Sequence, residues 1–268
     1  MKPKFILLTA VAALALFATG CEKLKARDNL NKGVQAFKNA KYPEAVAFFQ
    51  KAVELDPSFP MTHLYLATAN MSQYIPGAES PENQRFADNA FASFQKVLEL
   101  DPKSDLATAS IASLKFNQKK FDEAVEWNKK LIEISPQNKE AYYTLGVIAW
   151  TKWLVPDREA RNKLGMKPED PGPLKKADVR EELKAKYLPM LDEGVKNMGK
   201  ALEIDKEYDE AMAYMNLLIR YRADLMDTPE LYKKEVEVAD NWVQKALQTK
   251  KIKAERTPTP GGITTQAK

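Results

Sequence analysis

Apolar and small residues recur along this chain at helical spacing, in blocks that end on nearly the same phrase each time. The phrases are Leu55-Asp56-Pro57, Leu100-Asp101-Pro102 and Ile134-Ser135-Pro136, and Ile204-Asp205-Lys206 keeps the pattern without the proline. Proline cannot continue a helix and biases the residue before it out of the helical region, so each phrase reads as the close of a helix. The spacings are 45, 34 and 70 residues, which a unit of 34 with insertions of eleven and thirty-six explains. Ahead of Pro57 stand Gly33, Ala45, Phe49 and Ala52; ahead of Pro136 stand Ala112, Ala124 and Leu131, with Asn128 where an aromatic would fall. Small residues at such positions let one helix approach the next closely, and larger apolar residues fill the rest of the stripe. One helix pair cannot bury its apolar face alone, whereas stacked pairs share a continuous core. The pattern predicts an all-α chain of five helix pairs over residues 29–250.

The 34-residue helix-turn-helix period resembles the tetratricopeptide repeat. Repeat two supplies Ala67 and then Ala90, Phe94, Val97 and Pro102; repeat four supplies Leu145-Gly146, Gly194, Met198 and Ala201. Repeat five, with Met215-Asn216, Ala239, Val243 and Ala246, is the most degenerate. The resemblance spans about residues 26–250 and implies a right-handed α-α superhelix, a solenoid with a concave inner face. Insertions near 76–86, 152–187 and 224–234 all fall between the two helices of a repeat. Ser80-Pro81-Glu82 and Thr228-Pro229-Glu230 each read as an N-cap, a proline at the first helical position and an acid near the positive helix end, so these two lengthen helices. The middle insertion carries Pro156, Pro168, Pro171 and Pro173, which predict an extended loop in its first half. From Asp178 onward Val179, Leu183, Leu188, Leu191 and Val195 return to helical spacing, with a kink expected at Pro189. Residues 251–268, ending in a Thr/Pro/Gly-rich stretch, have the composition of a disordered tail.

The first twenty residues read as a secretory signal: Lys2 and Lys4, then the uncharged run Phe5 to Ala18, then small residues. Fourteen apolar residues at helical rise span roughly 21 Å, short of a ~30 Å hydrocarbon core. Ala18-Thr19-Gly20-Cys21 resembles the lipobox of bacterial lipoproteins, which implies an acylated Cys21 as the mature N-terminus and residues 21–28 as a tether. Several acyl chains on one cysteine anchor a protein stably. By the same resemblance, Glu22 after the cysteine favours the outer membrane, with the chain facing the periplasm.

Composition narrows the chemistry. The net charge of +4 lacks the concentrated basic excess of a nucleic-acid binder. One His and one Cys exclude multi-His metal sites, Cys/His zinc spacings and an internal disulfide. Ten glycines leave little material for phosphate-cradling loops. No catalytic residue set, metal or cofactor is expected, and the sequence sets no oligomeric state. His63, beside Leu64 and Leu66 in a first helix, reads as a packing residue, and so do Trp127 and Trp242 at equivalent second-helix positions.

The resemblance places the inner wall on the first helix of each pair, including Leu30, Val34 and Phe37 in repeat one and Tyr143, Val147 and Trp150 in repeat four. Phe37, Met71, Phe116, Tyr143, Trp150 and Tyr221, with Arg220, would make an apolar, aromatic-rich strip suited to an extended peptide or a helix. The Lys and Asn residues of arrays that clamp a C-terminal carboxylate are replaced here by Leu30, Val34 and Ala109. The expectation is a lipid-anchored scaffold that binds a protein segment for envelope assembly, secretion or recruitment. Two alternatives stay open: a small-ligand receptor using Tyr143 and Trp150, and an enzyme built on the repeat-four insertion.

Overall fold

The computed structural model describes residues 3–256, with side chains from Gly20 onward. The side chains of the apolar run Phe5 to Ala18 and the tail 257–268 therefore lie outside the described residues. Among the described residues the chain forms ten α-helices, one short 3-10 turn and no strand. None of these helices is long and apolar enough to cross a membrane. The chain divides into two units, 1–134 and 135–268.

The first unit holds α1 (Pro3–Lys38), α2 (Tyr42–Leu55), α3 (Pro60–Met71), α4 (Pro81–Leu100), α5 (Asp105–Asn117) and α6 (Phe121–Ile134). Residues 21–28, expected as a tether, belong to α1. Pairing is sequential: α1 packs on α2, α3 on α4 and α5 on α6. The small-against-large pattern does what the sequence asks of it. Phe49 is fully buried, and a Cβ on Gly33 would sit 2.4 Å from its ring. Around them Leu30, Ala36, Ala45, Ala52 and Ala69 close one core, while Ala67, Ala87, Ala90, Phe94, Val97, Ile111 and Leu114 close a second. Asn128, in the aromatic position of repeat three, is buried and donates its amide to Ala124 O at 2.8 Å.

Three of the four repeated phrases end their pair by a side-chain device. Asp56, Asp101 and Asp205 accept from the backbone N–H two residues on, at 3.3, 3.3 and 2.9 Å. Their carbonyls accept from the residue three on, closing a turn. Ser80, Ser104 and Asn138 then cap α4, α5 and the seventh helix by accepting from Asn83, Ala107 and Ala141. Within pairs one and three the first helix ends with a residue in the left-handed region, Ala40 (φ 57°) and Lys119 (φ 58°). The following N–H groups, of Lys41 and Lys120, bond back to Ala36 O and Lys115 O, which satisfies terminal carbonyls but places a Cβ where glycine fits best.

The second unit holds α7 (Lys139–Lys163), α8 (Ala177–Ile204), α9 (Asp209–Arg222), the 3-10 turn Ala223–Leu225 and α10 (Pro229–Arg256). Helix α7 packs on α8 and on α9, and α9 on α10. A Cβ on Gly146 would meet Met198 Cε at 2.6 Å, repeating the relation of Gly33 to Phe49. Two expectations are corrected. The insertion does not begin as a loop at 152: α7 runs through Pro156 to Lys163, leaving only 164–176 non-helical. Tertiary packing outweighs the proline here, because Trp153, Asp157, Ala160 and Arg161 beyond the expected end are all buried. The tail also starts later than 251, since α10 continues to Arg256, where the Arg256 guanidinium pairs with Glu207 at 2.8 Å. Pro189 lies inside α8. Ser80 and Thr228 do begin lengthened second helices, of 20 and 28 residues.

Gly33→Ala is expected to destabilise the chain by about 1–3 kcal/mol, the range for overpacking a tight core, because the methyl meets a rigid buried ring. Gly146→Ala costs less, since the Met198 thioether can swing aside. Ala40→Gly should stabilise by about 1 kcal/mol by removing the left-handed Cβ. Urea unfolding of the three variants checks the order.

Candidate functional site

In the first unit the residues assigned to an inner strip are packing residues of their own turns. Phe37 is half-buried beside Tyr42, ring centroids 5.3 Å apart, and Phe116 stands edge-on to Phe121 at 5.8 Å. Each joins the end of a first helix to the start of its second. Met71 packs on the second core with Tyr74. Leu30, given to the wall by resemblance, is buried in the first core. His63 is 6 % exposed, in keeping with a packing residue, with Nε2 2.8 Å from Pro57 O.

The second unit assembles an aromatic ladder. Tyr143 and Trp150 are seven residues apart on α7, and Tyr214 and Tyr221 seven apart on α9, so each pair lies on one helix face. Their rings alternate: Tyr143 to Tyr214 at 5.5 Å, Tyr214 to Trp150 at 5.5 Å, Trp150 to Tyr221 at 6.2 Å, all near perpendicular. Edge-to-face pairs of this kind contribute about 0.5–1.5 kcal/mol each beyond burial. Tyr208 extends the ladder, 5.1 Å from Tyr143, and donates its hydroxyl to Glu140 at 2.5 Å. At the other end Trp153 Nε1 donates to Tyr221 O at 3.2 Å. Burial pushes the Tyr143 phenol up to about 12, and burial with the Glu140 bond raises Tyr208 further, so both stay protonated.

Of the residues expected in the strip, the structure joins Tyr143, Trp150 and Tyr221. Val147 is buried, and Arg220 is held by Asp240 at 2.5 Å and Asn216 at 3.3 Å. Tyr214 and Tyr208 were missed, although the seven-residue step from Tyr214 to Tyr221 copies that from Tyr143 to Trp150. Tyr214 also fills the space between Tyr143 and Trp150 where a small ligand was envisaged. Trp150 Nε1 is buried and has no acceptor among the described residues.

Beyond Tyr221 lies a cavity of about 410 Å³, which the sequence did not signal. Its walls bring together the α7 extension, the 164–176 loop, the 3-10 turn and α10. Arg161 anchors it, donating through Nε and Nη2 to Asp224 Oδ2 (3.0 and 2.5 Å) and through Nη1 to Lys167 O (3.2 Å) and Asp170 O (3.0 Å). Asp157 is one turn before Arg161, 3.5 Å from its Nε. Leu174, fully buried, donates its N–H to Asp224 O at 3.0 Å and so pins the loop. A Cβ on Gly172 would fall 2.1 Å from Asp224 Oδ1, so only glycine allows the approach. Burial first, and then the neighbouring Asp224 carboxylate, push Asp157 up to about 7; burial also raises Asp224, against the opposing pull of Arg161. Among the described residues no group of three or more His, Cys, Asp or Glu side chains could hold a metal ion.

Two tetratricopeptide-repeat family models match the sequence, over residues 29–59 and 78–139. Those two stretches of the chain match the tetratricopeptide repeat. No curated protein matches it. Among solved structures it is similar to the MamA protein, with TM-score 0.58 and 16 % identity over 86 % of this chain and 94 % of that one. It is also similar to MamA from Desulfovibrio magneticus RS-1, with TM-score 0.56 and 16 % identity over 85 % and 96 %. A third is YrrB, described as a TPR protein with an unusual peptide-binding site, with TM-score 0.51 and 15 % identity over 83 % and 90 %. At these identities the likeness is one of fold: an all-α solenoid of paired helices.

A raised carboxyl pKa fixes the sign of one pH effect. Between about pH 4 and 7 folded Asp157 keeps a proton that the unfolded chain releases, so its contribution to stability falls as pH rises through that window. The groups facing it are Asp224, Arg161 and Arg158, with Tyr232 from α10 on the same cavity wall. Asp157→Asn keeps the neutral shape at every pH. It should exceed the parent in stability by on the order of 1–3 kcal/mol at pH 8, with the gap narrowing as pH falls and closing below about pH 4, in parallel denaturant titrations.

Proposed function

We propose that this chain is a lipid-anchored scaffold of the cell envelope, facing the periplasm, that holds a protein or peptide segment against the first helices of its repeats. The observation that carries the reading is the ladder: half-buried rings on α7 and α9 form a continuous aromatic edge. Aromatic faces give contact area at low entropic cost. The fold likeness to YrrB, whose description includes a peptide-binding site, supports a segment as the ligand. Repeat arrays present extended binding surfaces of this kind. Tyr143 and Tyr208, held protonated, offer no base or nucleophile, in keeping with a binding role.

The anchor half of the proposal rests on Cys21, exposed and free of any disulfide, directly after the small residues that resemble a lipobox. By the same resemblance, Glu22 after the cysteine supports the outer membrane rather than the inner. The envelope process served is assembly, secretion or recruitment.

Cys21→Ser is expected to move the protein from the membrane to the soluble fraction and to abolish labelling by an alkyne fatty acid. Unchanged membrane retention would overturn the anchor. Cross-linking in intact envelopes should recover a protein partner that disappears in the Trp150→Ala, Tyr221→Ala double variant. A partner retained by that variant would move the binding surface to the outer face or to the 164–176 loop.

A further inference from the structure

The aromatic ladder has one acidic end. Tyr208 closes it there, and Glu140 and Glu210, both exposed, stand in the first turns of α7 and α9. The spacings of the closing phrases carry these two positions back onto Met61 and Leu106, which are 42 % and 56 % exposed. The repeat itself therefore asks for no acid there. Glu140 does not cap its helix either: Asn138 does so by accepting from Ala141 N–H, and Glu140 accepts from the Tyr208 hydroxyl.

The cations close to this end are committed to other carboxylates. Lys139 holds Asp205 at 2.5 Å, Arg256 holds Glu207 at 2.8 Å, and Lys253 holds Asp209. Among the described residues no ion pair includes Glu140 or Glu210. Both carboxylates nevertheless act on the same two rings. Burial, Tyr214, Glu210 and Glu140, in that order, push the Tyr143 phenol up, and burial with Glu140, Tyr143 and Glu210 raises Tyr208. Aromatic faces attract cations, and the Tyr208 ring already seats the Lys139 ammonium 4.5 Å from its centroid. The other end of the ladder mixes both signs, Arg158 and Arg220 with Glu169 and Asp170, and Asp240 holds Arg220. No group of three or more His, Cys, Asp or Glu side chains among the described residues could hold a metal ion.

We propose that the segment bound on the ladder is basic: a lysine or arginine is received between Glu140 and Glu210, and apolar side chains follow it along the rings. The inference rests on the ladder as the binding edge and adds the chemistry of its partner. From Glu140 to Trp150 the wall is roughly 15 Å long at helical rise, which an extended chain covers in about four or five residues. Alternate side chains share one face of such a chain. The cation and the residues two and four places from it thus meet the acids, Tyr143 with Tyr214, and Trp150 in turn. A small free amine would satisfy the carboxylates but leave the rest of that apolar edge uncovered, so the length of the ladder favours a peptide.

Fluorescence anisotropy of the full-length chain tests this with three labelled, end-capped hexapeptides. Each carries leucine at positions three and five and serine elsewhere, and they differ only at position one, which is lysine, glutamine or glutamate. The lysine peptide is expected to bind roughly fivefold more tightly than the glutamine peptide, with glutamate weakest. Glu140→Gln with Glu210→Gln keeps an acceptor for the Tyr208 hydroxyl and should bring the lysine and glutamine peptides within about twofold. Glu140→Lys with Glu210→Lys should reverse the order, and circular dichroism confirms that both pairs of substitutions leave the chain folded. Three peptides bound alike by the parent and lost alike in Trp150→Ala, Tyr221→Ala would keep the ladder as the binding edge and overturn the basic partner. A lysine preference that survives the glutamine pair also overturns it, as does agmatine binding as tightly as the lysine peptide, which assigns a free amine instead. No saturable binding of any peptide overturns the ladder reading and this inference with it.

Discussion

The structure depends on one contact made repeatedly: a residue with almost no side chain on the first helix of a pair, under a large one on the second. Gly33 lies under Phe49 and Gly146 under Met198, at separations that leave no room for a methyl group. Close approach brings the flanking alanines of both helices into contact and excludes water from the stripe between them. Each pair on its own still has an open apolar face, so the same contact obliges the pairs to stack. In repeat three the large residue is Asn128, whose amide is satisfied within its own helix by Ala124 O. That bond lets a polar side chain occupy the position without leaving a buried amide unpaired.

The fold was legible because this contact has a fixed sequence period. Gly33, Ala45, Phe49 and Ala52 report it directly, and the aspartate turns at 56, 101 and 205 mark where pairs one, two and four end. Helix lengths were legible where capping chemistry was local, at Ser80 and Thr228. The α7 extension was not. Pro156 is a local breaker signal, while the forces that override it come from Trp153, Leu174 and Asp224, far apart in sequence. The candidate sites divide the same way. Tyr143, Trp150 and Tyr221 could be found from helical periodicity. The buried pair of Arg161 and Asp224 joins positions 63 residues apart and carries no motif, so nothing in the chain's pattern announced the cavity.

The insertions show how a repeat gains function without losing its stack. All of them enter between the two helices of a pair, leaving the turn from one pair to the next intact. In repeat four the added length becomes helix, a loop pinned by Leu174, and a guanidinium anchored on Asp224. The ladder and the cavity meet at Tyr221, whose ring ends one and lines the other.

The aspartate turn that closes repeat four differs from its counterparts in what stiffens it. At Asp56 and Asp101 a following proline ring restricts the backbone covalently. At Asp205 the proline is replaced by Lys206, and the carboxylate holds the Lys139 ammonium at 2.5 Å as well as the Glu207 N–H. Both partners are about one-third exposed, within reach of counterions. Salt leaves a ring constraint untouched but weakens an ion pair of this kind, so ionic strength acts selectively on the junction that carries α9 and half the aromatic ladder. The rigidity of that half of the ladder is thus tied to the electrolyte around it.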